Sequence, residues 1–446
     1  MPSGRKLALI LAAVVVCVGV ILIPRFAQQR KWEKLNAQAN TLLEQGKYPE
    51  AVPKALEALR VAEATFGSEH VNVATSLNNL AALYQAQGKY AEAEPLYKRS
   101  LAIREKALGP EHPDVARSLN NLAWLYHHQA KYAEAEPLYK RSLAIWEKAL
   151  GPDHPDVATS LNNLAALYQA QGKYAEAEPL FKRSLTIWEK ALGPEHPDVA
   201  ISLDNLALLY RYQAKYAEAE RLNKRSLAIL EKALGPEHPD VAISLDNLAE
   251  LYRAQGKYAE AERLNKRSLA ILEKALGPDH PAVATSLNNL AALYYAQGKY
   301  AEAEPLYKRS LAIREKALGP DHPAVAGSLN NLAALYYGQG KYAEAEPPYK
   351  RSLAIAEKAL GPDHPDVAMA LRNLAGLYYA QGKYAEAEAL LKRSLAIREN
   401  TLGPDHPDVA QSLENYATLL RKTHREAEAE PMEARAKAIR AKKAVQ

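Results

Sequence analysis

The sequence of 446 residues contains a single cysteine, Cys17, and only three phenylalanines and four tryptophans beside 26 tyrosines. One cysteine excludes an intrachain disulfide and a zinc site built from cysteines. The formal net charge is only +5, and lysine and arginine alternate with glutamate, so nothing indicates a nucleic-acid partner. With 48% hydrophobic and 24% charged residues, the composition favours a helical protein with segregated apolar and polar faces.

The sequence also lacks the common catalytic motifs. It has no phosphate-binding Gly-Lys-Thr loop, no H-E-x-x-H helix and no nucleophile elbow, and its recurring Gly-Lys-Tyr lacks the hydroxyl that would hold magnesium. An active site is usually unique in a chain, whereas the Glu and Lys residues here stand in repeated columns. We therefore expect no enzyme activity, no cofactor and no small-molecule substrate.

Most of the twelve histidines recur once per repeat, as His112 and His154 do. Stacked helices lie about 8 to 10 Å apart, whereas zinc needs nitrogen ligands at about 2.1 Å, so successive histidines are poorly placed to share an ion. His127 and His128 are adjacent on one helix and diverge. No metal site is expected, and each recurring histidine is predicted to bond the start of the following helix.

The N-terminal segment contains a continuous apolar stretch of seventeen residues, from Leu7 to Ile23, flanked by Arg5 and Lys6 and by Arg25. This length is at the lower end for a membrane-spanning helix. The pattern of a cleaved signal peptide is absent after it. We therefore expect residues 1–28 to be an uncleaved signal anchor and the protein to be a single-pass membrane protein. Positive charges on both sides of the stretch leave the orientation open.

A Gly-Pro pair recurs at a constant interval along the chain, first at Gly109 and Gly151 and last at Gly403. Each unit has apolar residues at helical spacing on both sides of a central Gly-Lys-Tyr, which predicts two helices and a turn. In the first full unit the helices are expected at about Val73 to Gln87 and Tyr90 to Leu108. Gly88 and Gly109 are expected to terminate them.

The repeat resembles the tetratricopeptide repeat in its pattern of small and large residues: Leu77, Leu80, Ala81, Tyr84, Gly88, Tyr90, Ala93 and Tyr97. The 42-residue version, with Leu-Asn-Asn-Leu-Ala and Ala-Glu-Pro-Leu-Tyr, is similar to the kinesin light chain subtype. The resemblance implies an all-α, right-handed solenoid of helical hairpins with a concave groove that binds protein partners. The heptad coiled coil of that family is missing ahead of the repeats, so a motor subunit is not expected.

The same resemblance divides the chain. After the anchor we expect a degenerate first repeat at 29–68, eight 42-residue repeats at 69–407, and a degenerate capping repeat with a tail at 408–446.

The side of the first helix opposite the core is expected to line the groove, because its columns vary between repeats while the core columns stay nearly constant. One column changes from amide to acid to other charges: Asn78, Asn120, Asn162, Asp204, Asp246, Asn288, Asn330 and Arg372. The neighbouring column is always asparagine: Asn79, Asn121, Asn163, Asn205, Asn247, Asn289, Asn331 and Asn373. Two further columns supply the candidate specificity residues: Trp124, Arg211, Glu250, Arg253, Tyr295, Tyr337 and Tyr379.

Each group has two interpretations. The invariant column from Asn79 to Asn373, which we call the asparagine ladder, has two possible roles. It is suited to holding a peptide backbone, as groove asparagines do in the kinesin light chain family, or to joining adjacent repeats. The charged middle zone around Glu250 either binds a partner or is paired internally. The tyrosine row is either a binding surface or ordinary surface residues.

These observations predict a membrane-anchored adaptor that binds extended peptides or partner helices in the groove. The alternative is a structural assembly component that acts through its convex face or through self-association.

Overall fold

The computed structural model describes residues 25–444, with side chains through residue 442. Twenty helices, α1 to α20, account for the regular structure of these residues, and no strand occurs within them. This confirms the predicted all-α fold over the described part of the chain. The first helix, α1, covers residues 25–44.

From α2 onward, helices of two lengths alternate along the chain. The shorter helices, which we call A helices, are α3 Val71–Ala86, α5 Pro113–His128, α7 Pro155–Ala170, α9 Pro197–Tyr212, α11 Pro239–Ala254, α13 Pro281–Ala296, α15 Pro323–Gly338, α17 Pro365–Ala380 and α19 Pro407–Lys422. The longer helices, the B helices, are α2 Tyr48–Phe66, α4 Tyr90–Leu108, α6 Tyr132–Leu150, α8 Tyr174–Leu192, α10 Tyr216–Leu234, α12 Tyr258–Leu276, α14 Tyr300–Leu318, α16 Tyr342–Leu360, α18 Tyr384–Leu402 and α20 Glu426–Ala444.

The helix ends follow from the residues at the turns. Gly88, between α3 and α4, has φ +68°, which only glycine adopts without a steric penalty, and Gly109 after α4 has φ +87°. Before the A helices, the recurring histidines cap the helix start: Nδ1 of His154 accepts from the backbone N–H of Asp156 at 3.2 Å, and His196 does the same with Asp198. The predicted role of these histidines is confirmed.

The chain divides within α5 into two compact units, residues 1–118 and 119–446. In the first unit, Leu77 and Leu80 are buried against α2, and Ala81 is also buried, as their spacing predicts. In the second unit, the equivalent residues form a core that includes Leu203, Leu245 and neighbouring side chains. Within each unit every helix packs mainly on its neighbours in sequence, so equivalent residues of adjacent A helices lie side by side.

The predicted membrane-spanning segment, Leu7 to Ile23, lies outside the described residues. Among residues 25–444, no helix is long and apolar enough to cross a membrane. The physical reason is visible in α4, where Glu92, Glu94, Lys98 and Arg99 interrupt the apolar side chains. On this finding the prediction of a single-pass membrane protein is wrong, and a membrane partner is not retained.

Candidate peptide-binding groove

The asparagine ladder makes regular bonds between adjacent repeats. In the second unit, Nδ2 of Asn163 donates to Oδ1 of Asn120 at 3.1 Å, and Nδ2 of Asn205 donates to Oδ1 of Asn162 at 2.9 Å. The same bond joins Asn331 to Asn288 and Asn373 to Asn330. In the first unit, Asn79 donates to Asn36 at 3.0 Å. In each bond one amide uses a donor and the other an acceptor to join adjacent helices rather than to face a ligand.

At two positions of the asparagine ladder the accepting residue is an aspartate instead of an asparagine. Nδ2 of Asn247 donates to Oδ2 of Asp204 at 3.2 Å. Burial raises the pKa of Asp204 to about 7, although hydrogen bonds from Ser226 and Asn247 oppose the rise. The pKa of Asp246 is raised to about 7 for the same reason, with Ser268 and Asn289 as the opposing donors. Both carboxyl groups therefore change charge near neutral pH.

The charged middle zone is paired within the protein. Glu250 accepts from Nη1 of Arg211 at 3.1 Å and from Nε and Nη2 of Arg253 at 2.7 and 2.6 Å. Hydrogen bonding to Glu250 raises the pKa of Arg253. Asp204, Arg211, Asn247 and Glu250 also line a cavity of about 30 Å³. The structure thus brings four predicted site residues together around one small space.

The tyrosine row borders a larger cavity of about 480 Å³. Its lining includes the predicted residues Tyr295, Tyr337, Tyr379, Arg372 and Asn373, and adds Ala334, Tyr349, Ala375, Gly376, Leu391, Gln411, Asn415 and Thr418. The A helices α13, α15, α17 and α19 supply most of these side chains. The stacking therefore gathers residues of four consecutive repeats at one site, and three of them are the equivalent tyrosines.

Each tyrosine of the row is held by a ring of the following B helix. The ring centroids of Tyr295 and Tyr300 are 5.6 Å apart, and those of Tyr337 and Tyr342 are 5.7 Å apart. Burial raises the pKa of Tyr295 and of Tyr337, and that of Tyr349 more strongly. The hydroxyls therefore stay protonated at neutral pH and are available as donors.

Arg372 brings a positive charge to the tyrosine-lined cavity. Its Nε and Nη2 lie 3.4 and 3.3 Å from Oδ1 of Asn373, and no carboxylate of the described residues pairs with it. Such a guanidinium retains donors that suit a carboxylate in a bidentate arrangement.

Trp124 is the most exposed of the predicted aromatic residues, at 42%. Its ring packs edge-on against the imidazole of His128, with centroids 4.5 Å apart. The indole is thus held on the surface of α5 by the histidine pair.

Two buried asparagines of the B helices are not among the predicted site residues. Asn223 of α10 lines the cavity, and Asn265 of α12 occupies the equivalent position one repeat later. Both are buried, at 4% and 3% exposure. The signal lay in the B helices, where other repeats have an aromatic residue such as Tyr139 or Tyr307. All of the predicted site residues, by contrast, belong to A-helix columns.

A stack of antiparallel helix pairs that presents one repeated face, with cavities between its A helices, defines an α-solenoid of helical hairpins. The tetratricopeptide-repeat model matches nearly all of the described chain: residues 33–106, 73–148, 125–185, 156–232, 215–274, 240–316, 283–358, 325–400 and 366–442. The chain belongs to the tetratricopeptide-repeat family, and its repeats are of the kinesin light chain-like kind.

Several solved structures are similar to this chain. One contains nearly identical TPR-like repeats of a putative kinesin light chain from Podosopora anserina, with 35% identity over 46% of this chain and 97% of that one, and a TM-score of 0.39. Another is BtubC (BKLC) from P. vanneervenii, with 25% identity over 52% and 90% of the two chains and a TM-score of 0.41. Rap protein complexed with competence and sporulation factor has 16% identity over 84% and 99%, with a TM-score of 0.50, and shares the fold. No curated protein matches the chain.

Proposed function

We propose that this protein is an interaction scaffold whose A-helix face binds an extended segment of a partner protein, with its main anchor in the tyrosine-lined cavity. The observation that carries the proposal is the convergence of Tyr295, Tyr337 and Tyr379 on one space of about 480 Å³. That volume is within the range of sites that bury a ligand, and tyrosine supplies contact area with little loss of side-chain entropy.

The chemistry of the cavity indicates what the partner segment carries. Three tyrosine rings and Tyr349 offer apolar faces and hydroxyl donors, and Arg372 offers a guanidinium without a carboxylate partner among the described residues. A side chain with an apolar portion next to a carboxylate satisfies both features. Asn415 and Gln411 line the same cavity and suit the backbone of an extended segment.

The asparagine ladder supports this function indirectly. Because amides such as Asn163 and Asn373 bond the preceding repeat, they fix the spacing between A helices. A fixed spacing keeps the cavity preformed, which reduces the entropy lost on binding. We therefore assign the ladder a positioning role beside any contact with the partner.

The test compares proteins crosslinked to the native chain with those crosslinked to a variant in which Tyr295, Tyr337 and Tyr379 are all alanine. A matched control carries Tyr212→Ala and Tyr258→Ala, which remove two exposed tyrosines, at 52% and 37% exposure. Circular dichroism establishes that all three proteins remain helical. A partner lost only from the triple variant supports the proposal.

A second variant, Arg372→Glu, tests the charge at the cavity. We expect the variant to lose the same partner. Lowering the salt concentration should not recover the binding, because the new carboxylate repels the carboxylate of the partner. Capture of the same partners by all forms would overturn the groove function and favour assembly through another face.

A further inference from the structure

Two B helices carry an amide at a buried position where five other B helices carry an aromatic ring. Tyr97, Tyr139, Phe181, Tyr307 and Tyr349 occupy this column in other repeats, and all are buried. In α10 and α12 the column contains Asn223 and Asn265. The amide is much smaller than a ring, and a cavity of about 30 Å³ lies beside Asn223.

The same two repeats carry the acids of the ladder. Oδ2 of Asp204 accepts from Asn247, but Oδ1 of Asp204 is buried and has no hydrogen-bond partner. Oδ1 of Asn223, which lines the same cavity, is also buried without a partner. Two residues that line this cavity therefore each have a buried acceptor without a hydrogen-bond partner. An unsatisfied buried acceptor costs about 1 to 3 kcal/mol, so the site favours an occupant with hydrogens to donate.

In these repeats the B-helix serines have different hydrogen-bond partners from the serines of other repeats. Elsewhere the hydroxyl of the B-helix serine donates to a backbone carbonyl, as Ser184 does to Ala158 at 2.8 Å. In α10, Ser226 instead accepts from Ser244 at 3.2 Å, and both hydroxyls lie close enough to Asp204 to lower its pKa. Neither hydroxyl makes a hydrogen bond to Oδ1 of Asp204.

The volume of the cavity and the groups that line it limit what can bind there. A space of about 30 Å³ accommodates one group the size of a water molecule or an ammonium head. Calcium or magnesium requires six or more oxygen ligands, which is more than this site offers. Glu250 at the rim is already paired with Arg211 and Arg253, so the groups that lack a partner at the cavity are the two buried acceptors.

We propose that the cavity formed by Asp204 and Asn223 binds a primary ammonium group, supplied by a lysine side chain of the partner segment. The source of the ammonium group rests on the proposed groove function, because Arg211, Glu250 and Leu208 place the cavity at the A-helix face. The ammonium donates to Oδ1 of Asp204 and to Oδ1 of Asn223, which satisfies both acceptors.

The next repeat carries the same two side chains, Asp246 and Asn265. Oδ1 of Asn265 is buried without a partner, and Oδ1 of Asp246 has only a 3.5 Å contact from Ser286. Neighbouring A helices lie about 8 to 10 Å apart, and an extended segment in the polyproline II conformation advances about 3.1 Å per residue with three residues per turn. Lysines three positions apart in the partner segment therefore match the two sites.

The test uses n-butylammonium as the probe on the full chain, with tetramethylammonium at equal ionic strength as the control. Tetramethylammonium has the same charge but no N–H. We expect n-butylammonium to bind the native protein, measured by calorimetry, and to raise its unfolding midpoint above the value in tetramethylammonium. Because Asp204 and Asp246 are partly protonated near pH 7, binding should release protons and tighten between pH 6 and pH 8.

Two variants locate the site. Asp204→Asn with Asp246→Asn removes the charge but keeps the acceptors that the ladder uses at Asn162 and Asn288. Asn223→Tyr with Asn265→Tyr refills the cavities with the ring that other repeats contain. Each is expected to weaken n-butylammonium binding about tenfold or more, the loss of one charged hydrogen bond. Asn162→Asp is the matched control: it adds a carboxylate beside the buried Phe181 and should add no amine binding.

The peptides Ac-Lys-Ala-Ala-Lys-NH2 and Ac-Lys-Ala-Lys-NH2 test the source. Tighter binding of the first supports a lysine-bearing segment, and equal binding would overturn that part. Equal responses to the two ammonium ions, or an unchanged response in the Asp variant, would overturn the site itself. The tyrosine variants leave this cavity intact, so failure of the groove function and failure of the ammonium site are separable.

Discussion

The imidazole of His364 donates from Nε2 to the backbone carbonyl of His128 at 3.1 Å, although the two residues are 236 positions apart in the sequence. Nδ1 of the same ring accepts from the N–H of Asp366, which fixes the proton on Nε2. The imidazole of His406 also lies close to Gly172, so the second unit touches itself at the turns of distant repeats. Local stacking is therefore supplemented by long-range contacts within that unit.

Replacing Gly172 with alanine should break the contact with His406. A Cβ at Gly172 would lie 2.9 Å from Cδ2 of His406, too close for the ring to stay in place. Hydrogen exchange of residues 404–408 should become several-fold faster. The control is Gly256→Ala, which has a similar φ of +74° but open space around its Cβ. Both variants bear the backbone cost of about 1 to 2 kcal/mol, so equal exchange in the two would contradict the contact.

The histidines near this contact should make the second unit less stable at acidic pH. Burial, and then the neighbouring charge of His128, lower the pKa of His127 to about 4. Burial also lowers the pKa of His364. Because the unfolded chain takes up these protons first, the stabilisation is complete above about pH 6.5 and is lost as the pH falls toward 4. The unfolding midpoint of His127→Gln should fall less than that of the native chain between pH 7 and pH 5. Parallel curves would exclude this linkage.

Periodicity predicted the helices because a repeat presents the same evidence many times. The second helix of the first full unit was placed at Tyr90 to Leu108, as observed, and the first began two residues earlier than expected, at Val71. The capping role of the histidines was also predictable, since it depends only on residues two positions apart. Local chemistry that recurs in every repeat can therefore be predicted without a structure.

The sites were less predictable because they depend on departures from the repeat and on geometry. The tyrosine row was found in one A-helix column, but Tyr349 of the same cavity belongs to a B helix. Asn223 became significant only once its amide was seen to share a cavity with Asp204. The contact between His364 and His128 depends on the rise and rotation accumulated over several repeats, which no single repeat encodes.

Asn247 and Asn205 make the same inter-repeat bond to different acceptors, which allows a matched comparison. Asn247 donates to the carboxyl group of Asp204 at 3.2 Å, whereas Asn205 donates to the amide of Asn162 at 2.9 Å. A bond to a charged acceptor is worth about 1.5 to 3 kcal/mol and a neutral one about 0.5 to 1.5 kcal/mol. Asn247→Ala should therefore cost more stability than Asn205→Ala at pH 8.5, and the gap should narrow at pH 5.5. Thermal unfolding at both values measures this, and a gap independent of pH would count against an ionisable acceptor.

The two buried acids should destabilise the native chain at alkaline pH. Their pKa values are raised from 3.8 to about 7, chiefly by burial, so the neutral forms favour folding. That contribution is complete below about pH 3.8 and is lost as the pH rises through 7. Asp204→Asn with Asp246→Asn should therefore raise the unfolding midpoint at pH 8.5, with a gain in stability on the order of 2 kcal/mol at each position, and should give a clearly smaller gain at pH 5.

Asn162→Asp serves as the control and should act in the opposite direction at pH 8.5, because it places a new carboxylate beside the buried Phe181. A double Asn variant that is less stable than the native chain at pH 8.5 would contradict the burial argument. n-Butylammonium adds a further constraint. If an ammonium group binds the ionised carboxylates, its addition should raise the unfolding midpoint of the native chain but not that of the double Asn variant. The difference in stability between the two proteins should then disappear.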